Sequence, residues 1–285
     1  MKASVRKNFI LLILATLITF VFLAPNLWML FGSFKNQNAM FALPPVWIPD
    51  FTYIKNFTIM LSESYMYLIN SIIVTICSTI VSLIFSLPTA FGLTFFKFKG
   101  RYFLADWILS TRMLPPVAAA VPLFILFKYL NLLDSLFALI IVYTAFNIPF
   151  AVWVSASFFK KIPIDLIEAS RIEGASWFHI FLKIALPLSK GGIATVAIFV
   201  FIFSWNELLI ALFFTVSESR TFPIFISAQV SQAQIIWGNV AAATVIQSIP
   251  PILLTIFLQK NIVSGPVSYT HLRAHETRHD LVCRL

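Results

Sequence analysis

The sequence predicts an all-α, polytopic membrane protein with six transmembrane helices, and three observations carry that prediction. Of its 285 residues, 60% are hydrophobic and only 11% are charged, with a mean hydropathy of +0.92. A soluble domain lies nearer half apolar and a quarter charged. The apolar residues gather into runs long enough to cross a bilayer core, which takes about 20 residues in a helix. The bases sit in short clusters between alternate runs, as the positive-inside rule requires of cytoplasmic loops.

The first span is read at 9–31, behind Lys2, Arg6 and Lys7. A cleaved signal peptide has the same basic start, but its apolar region is about 7–15 residues and ends in small residues. This run is longer and continues through Pro25-Asn26-Leu27-Trp28 without an A-x-A site, so a retained span is expected. Phe34 to Tyr67 reads as a loop rich in Pro, Asn and aromatic residues, with Lys35, Asp50, Lys55 and Glu63 cancelling in charge. The second span, 68–95, is kinked or broken near Pro88, and Lys97, Lys99 and Arg101 follow it. The third, 103–129, is interrupted by Pro115, Pro116 and Pro122, and a short turn leads to the fourth, 136–159. A long polar stretch, Lys160–Lys190, precedes the fifth span at 193–215. The sixth, 240–258, contains Pro250-Pro251, read like Pro115-Pro116 as a kink rather than a site, and Lys260 follows. Bases recur at the N-terminus and after spans two, four and six, which places both termini and Lys160–Lys190 in the cytoplasm.

Several function classes fall away. The net charge of +9 follows the loops rather than forming a nucleic-acid face, and Cys77 and Cys283 give no disulfide framework. No GxxxxGK[ST] or GxGxxG occurs among the glycines, so any ATP chemistry belongs to a partner. An intramembrane enzyme would need a paired catalytic constellation within the spans. They hold no His and no close pair of acids.

From Pro266 the character changes to PVSYTHLRAHETRHDLVCRL. His271, His275 and His279 recur every four residues near Glu276 and Cys283, in the manner of a zinc or nickel constellation. The string also resembles a translated sequencing-adapter read-through found at the ends of metagenomic gene models. The expected domain organisation is therefore a membrane-spanning domain over 1–265 and a non-native tail over 266–285, without a metal site or cofactor.

The polar stretch holds Asp165, Glu168 and Glu173 among five bases, Lys160, Lys161, Arg171, Lys183 and Lys190. Pro163 suits the first turn of a helix, and Asp165 and Glu168 complement its dipole. Arg171 lies within pairing distance of Glu168 along such a helix. Gly174 stands where a left-handed C-cap is needed. Ser176 can cap a second helix from Trp177 to about Ala185, ended by Pro187, with one apolar face. His179 on that helix reads as a headgroup or interface residue rather than a ligand. Physics alone leaves two readings open, a rigid knob presented to a partner or an amphipathic connector resting on headgroups.

Glu168-Ala169-Ser170, three residues, Gly174, nine residues, then Ile184-x-Leu186-Pro187 resembles the EAA loop of ABC importer permeases, with its spacing complete. Ser170 replaces the second Ala, Glu173 stands where Asp usually precedes the Gly, and a proline often found near Lys190-Gly191 is absent. The likeness extends from Met1 to about Gly265. The Pro/Trp-rich first loop, Leu68-Ile69-Asn70-Ser71, Arg112-Met113-Leu114-Pro115, Trp205-Asn206-Glu207 and Gln259-Lys260 are similar to the carbohydrate-uptake branch, that of the maltose and glycerol-3-phosphate permeases.

The resemblance implies a type I (MetI-like) ABC importer transmembrane domain in a bacterial inner membrane, itself without catalytic residues. It implies a second homologous permease, a dimer of ABC ATPase subunits and an extracytoplasmic solute-binding protein as partners, besides membrane lipid. It also implies alternating access for a sugar or sugar derivative, with amino acids, phosphate or a metal complex as the alternative cargo. Glu168, Ala169, Ser170, Glu173, Gly174, Ala175, Leu186 and Pro187 are then the ATPase-coupling residues. Arg112 and Glu207 are the ionisable groups deepest in the spans, with Asp106 nearer an end. Together with Asn147, Trp205 and Asn206 they either line a translocation pathway or knit helices together. Asn70 shares those two readings.

Overall fold

A computed structural model describes residues 2–230 and 234–263. The tail, with its histidine repeat, lies outside the described residues. Those residues are helical or irregular, with no strand among them. They fall into two compact units, one comprising residues up to Ile69 with Thr221–Ile249, the other Asn70–Arg220 with the chain from Pro250. Among the described residues, four helices are long and apolar enough to cross a membrane, or six if each of two sharply bent pairs counts as one span.

In the first unit, α1 (Lys2–Ser33) runs through Pro25 and is followed by a single short turn, α2 (Gln37–Met40). The next helix, α3, begins at Lys55 and continues for 41 residues to Phe95, so the expected loop is shorter and the second helix much longer. A local lock explains the early start. The Asn56 amide donates to the Ser33 and Lys35 carbonyls at 2.8 and 2.9 Å, pinning the chain where the helix begins. Gly238 lies against the same carbonyl, and a Cβ there would sit 2.5 Å from the Lys35 oxygen. Met60, Phe222, Phe225, Ala242, Ala243 and Ile246 form the core of this unit, drawn from α3, α12 (Phe222–Val230) and α13 (Trp237–Val263). Neither Pro88 in α3 nor Pro250-Pro251 in α13 interrupts its helix.

The second unit holds α4 (Arg101–Thr111), α5 (Pro116–Tyr129), α6 (Leu136–Phe159), α7 (Ile164–Ile172), α8 (Trp177–Ile180), α9 (Leu186–Leu188), α10 (Lys190–Trp205) and α11 (Leu209–Phe214). The span expected at 103–129 is two helices bent by 89° at Arg112–Pro115. That expected at 193–215 is likewise broken, between Trp205 and Leu209. Gly192 lets α10 press against α6, since a Cβ there would lie 2.2 Å from Phe158 Cγ.

Candidate functional site

The Lys160–Lys190 stretch folds into a capped pair of helices. Pro163 occupies the cap position just ahead of α7. At the other end Gly174 has φ +87°. Its N–H donates to the Arg171 carbonyl at 3.1 Å, and the Ala175 N–H donates to the Ser170 carbonyl at 3.0 Å. These two bonds make a Schellman motif, which satisfies the last carbonyls of α7 and reverses the chain. The Ser176 hydroxyl accepts from the His179 N–H at 3.2 Å and caps the second helix. That helix does not end at Pro187. A π-helical turn at Phe181–Ala185 carries it through α9 to Leu188, where it bends by 80° into α10. Within an α-helix a proline lacks a donor and crowds the carbonyl four residues back, here Lys183, and the wider π turn makes room for it.

The two faces of α7 differ sharply. Ile167 and Ser170 are buried, whereas Asp165, Glu168, Ala169 and Ile172 are exposed. Ser170, in the place of the second Ala, is only 9% exposed and sends its hydroxyl to the Leu166 carbonyl at 2.8 Å. Its polar atom is therefore satisfied within the helix. Glu173, Gly174 and Pro187 are exposed, while Ala175 and Leu186 are half-buried. Arg171 does not take the expected place beside Glu168. It donates to the Ala175 carbonyl at 2.6 Å and lies over the Trp177 ring at 4.9 Å. Ile172 and Phe178 remain 88% and 71% exposed, apolar side chains left uncovered by the described residues.

The inner face is fastened by aromatic contacts that the sequence did not single out. Trp177 meets Phe96 edge-on at 4.8 Å and Phe91 at 6.3 Å. Phe91 also touches Phe159 at 6.0 Å and Phe181 at 5.2 Å. One buried ring at the end of α3 therefore contacts the end of α6 and the second loop helix. Edge-to-face pairs add about 0.5–1.5 kcal/mol each beyond area burial, so the loop and the helix ends are held as one body.

A second locus is a cleft of about 490 Å³ within the same unit. Arg112, Asn147, Asn206 and Glu207 all line it. Both chain breaks border it as well, Arg112 at the first and Asn206–Leu208 at the second. Irregular backbone at membrane depth is tolerated where it lines a cavity or is buried in protein. Arg112 donates to the Phe146 carbonyl at 2.8 Å and stacks over Phe203 at 5.1 Å. The Glu207 carboxylate accepts from the Ile210 N–H at 3.0 and 3.1 Å and from the Ala211 N–H at 3.3 Å, closing the end of α11. Asn147 is buried and donates to the Ser204 hydroxyl at 2.9 Å, which lies 3.1 Å from that of Ser78. Trp205 stands apart from this group. It is 1% exposed and stacked on Phe201 rather than in the lining.

Comparison with known proteins places this architecture. The profile of the family described as "binding-protein-dependent transport system inner membrane component" matches residues 82–265. The chain belongs to this family. The trehalose/maltose transport system permease of Thermococcus litoralis is 33% identical, covering 93% of this chain and 97% of that protein. A sulfoquinovosyl glycerol transport system permease of Agrobacterium fabrum is 32% identical, covering 85% and 86%. Among solved structures, a bacterial ABC transporter involved in import of the acidic polysaccharide alginate superposes with a TM-score of 0.69. That match covers 91% of this chain and 98% of the other at 22% identity, a likeness of fold. The permease is thus an all-α, multi-pass inner-membrane transport component of the ABC importer type.

Two further residues of the permease hold the loop after α11, Asn70, which the sequence had marked, and Asp134, which it had not. Asn70 donates to the Glu218 and Arg220 carbonyls at 2.8 and 3.0 Å, tying α3 to the loop after α11. Asp134, in the turn between α5 and α6, gathers the same loop. Its carboxylate accepts from the N–H groups of Val216, Ser217, Glu218 and Ser219 and from the Ser217 and Ser219 hydroxyls, at 2.8 to 3.2 Å. Burial pushes the Asp134 carboxyl up, but these hydrogen bonds outweigh it and hold the group well below the usual carboxylate range.

Proposed function

We propose that this chain is the transmembrane permease subunit of an ATP-driven, binding-protein-dependent importer of a sugar or sugar derivative. The observation that carries the proposal is the exposed, doubly capped loop anchored through Trp177 to Phe91 and Phe96. Separate ATPase subunits dock on its outer face, where Glu168, Ala169, Glu173 and Gly174 are exposed together with the apolar Ile172 and Phe178. Two well-capped helices resist bending, so movement of the ATPases reaches the ends of α3 and α6 as a displacement. The spans then alternate between outward- and inward-open arrangements, and hydrolysis on the partner resets them. The N-terminus and the loop lie on the cytoplasmic side, as the distribution of bases requires.

A glycoside cargo is supported by the relatives, whose names give trehalose/maltose and sulfoquinovosyl glycerol. The cleft at Arg112, Asn147, Asn206 and Glu207 is the proposed solute path, completed by a second homologous permease and fed by an extracytoplasmic binding protein. Its volume falls in the range of small-molecule sites, about 300–1,000 Å³. Trp205 serves packing instead.

The test is assembly and transport together. A tagged chain, expressed with ATPase, second-permease and binding-protein subunits from the same source, is expected to bring down an ATPase and to support uptake of a radiolabelled glycoside. Purification with no ATPase subunit would remove the reading. Glu207→Gln and Asn206→Ala address the path, and normal uptake in both variants would exclude those side chains from it.

A further inference from the structure

The second cleft of the permease, about 330 Å³ between α4 and α6, has no role in the transport reading. It shares no residue with the central cleft. Its walls are apolar, with Leu93, Ile108, Val152 and Trp153 among them, while Arg101, Tyr102, Asp106 and Lys160 also line it. The Arg101 guanidinium is already oriented. It donates to the Tyr102 hydroxyl at 2.6 Å and lies over that ring at 4.6 Å. Among the described residues no carboxylate forms an ion pair with Arg101 or Lys160, although Asp106 lines the same cleft. Lys97, Lys99 and Lys161 are near in sequence, so the local balance is strongly positive.

We propose that this cleft binds one anionic glycerophospholipid of the phosphatidylglycerol type. Arg101 and Lys160 hold the phosphodiester, and Asp106 accepts a hydroxyl of the glycerol headgroup. An acyl chain follows the apolar wall formed by Leu93, Val152 and Trp153. A lining that combines cationic groups with apolar walls has the amphiphilic character of a lipid. A soluble anion would leave the walls uncovered, and an apolar ligand would leave the charges unpaired. Basic pockets between membrane helices take anionic headgroups for the same reason.

Native mass spectrometry of the full chain, reconstituted in nanodiscs of mixed phosphatidylglycerol, phosphatidylethanolamine and phosphatidylcholine and then extracted, reads the outcome. Preferential retention of phosphatidylglycerol is expected, and excess inorganic phosphate should not displace it. The double variant Arg101→Gln, Lys160→Gln should lose retention by about thirtyfold, as removal of two basic groups at a lipid surface predicts. Ala105→Trp, which fills the cleft and keeps the charges, should lose it as well. Lys97→Gln with Lys99→Gln, outside the cleft lining, should retain it. Equal retention of phosphatidylethanolamine, displacement by phosphate, or full retention in Ala105→Trp would overturn the site. Thermal melting of each variant separates loss of lipid from loss of fold.

Discussion

Replacing Gly174 by alanine isolates the turn on which the proposed coupling loop depends. The residue sits at φ +87°, and nothing lies within 4 Å of where its Cβ would be. The penalty is therefore backbone strain without steric conflict, about 1–2 kcal/mol for a left-handed L-residue. That energy acts on the two bonds of the reversal, Gly174 N–H to Arg171 and Ala175 N–H to Ser170. A cost of this size raises the population of the open turn by about five- to thirtyfold. Hydrogen exchange with mass spectrometry should show that increase across residues 170–176, with the spans unchanged. ATP-driven uptake should fall at equal membrane abundance. Asparagine tolerates the left-handed region better than alanine, so Gly174→Asn should lie between wild type and Gly174→Ala in both assays. Unchanged exchange in Gly174→Ala, or a larger effect of asparagine than of alanine, would refute the reasoning.

Other outcomes follow from the same geometry. A double-mutant cycle of Trp177→Ala with Phe96→Ala should give a coupling of about 1 kcal/mol in thermal melts, from the 4.8 Å edge-on pair. Trp177→Ala alone should keep ATPase binding yet lose uptake. Gly192→Ala drives a methyl into the Phe158 ring and should cost about 1–3 kcal/mol of stability, partly recovered by Phe158→Leu. Because the carboxyl of Asp134 is held low when folded, its stabilising contribution is full above the unfolded value of about 4 and fades as pH falls below it. Asp134→Asn should therefore lower the melting temperature at neutral pH and flatten its decline below about pH 4.

The parts of the fold most legible in the sequence were those set by local chemistry. Gly174 and Ser176 act within one turn of themselves, so their cap roles follow from residue type and spacing. The apolar runs around 9–31 and 136–159 were equally plain, because length and composition suffice. What escaped depends on distant partners. Phe91 is one of 31 phenylalanines, and nothing near it marks the ring that meets Trp177, Phe159 and Phe181. The helical start at Lys55 rests on Asn56 reaching back to Ser33 and Lys35. Prolines were an uneven guide. Pro88 and Pro250-Pro251 lie within continuous helices, while Pro115 marks a bend of 89°. The break at Asn206–Leu208 has no proline. There the Glu207 carboxylate takes the N–H groups that a continuing helix would have satisfied. The sequence left Trp205 between a pathway and a packing role, and its buried ring stacks on Phe201, a neighbour that the sequence did not mark.

The central claim is that the tip of the loop is the surface on which an ATPase seats and through which it moves the spans. Site-directed cross-linking from Ile172→Cys and Phe178→Cys tests it most directly, in a chain with Cys77 and Cys283 replaced, co-expressed with the partner subunits. Both positions should link to the ATPase subunit in membranes, with yields that change on adding ATP, and Glu168→Lys should weaken the link. A stably inserted chain that forms no such link at either position, while still transporting its solute, would contradict the account.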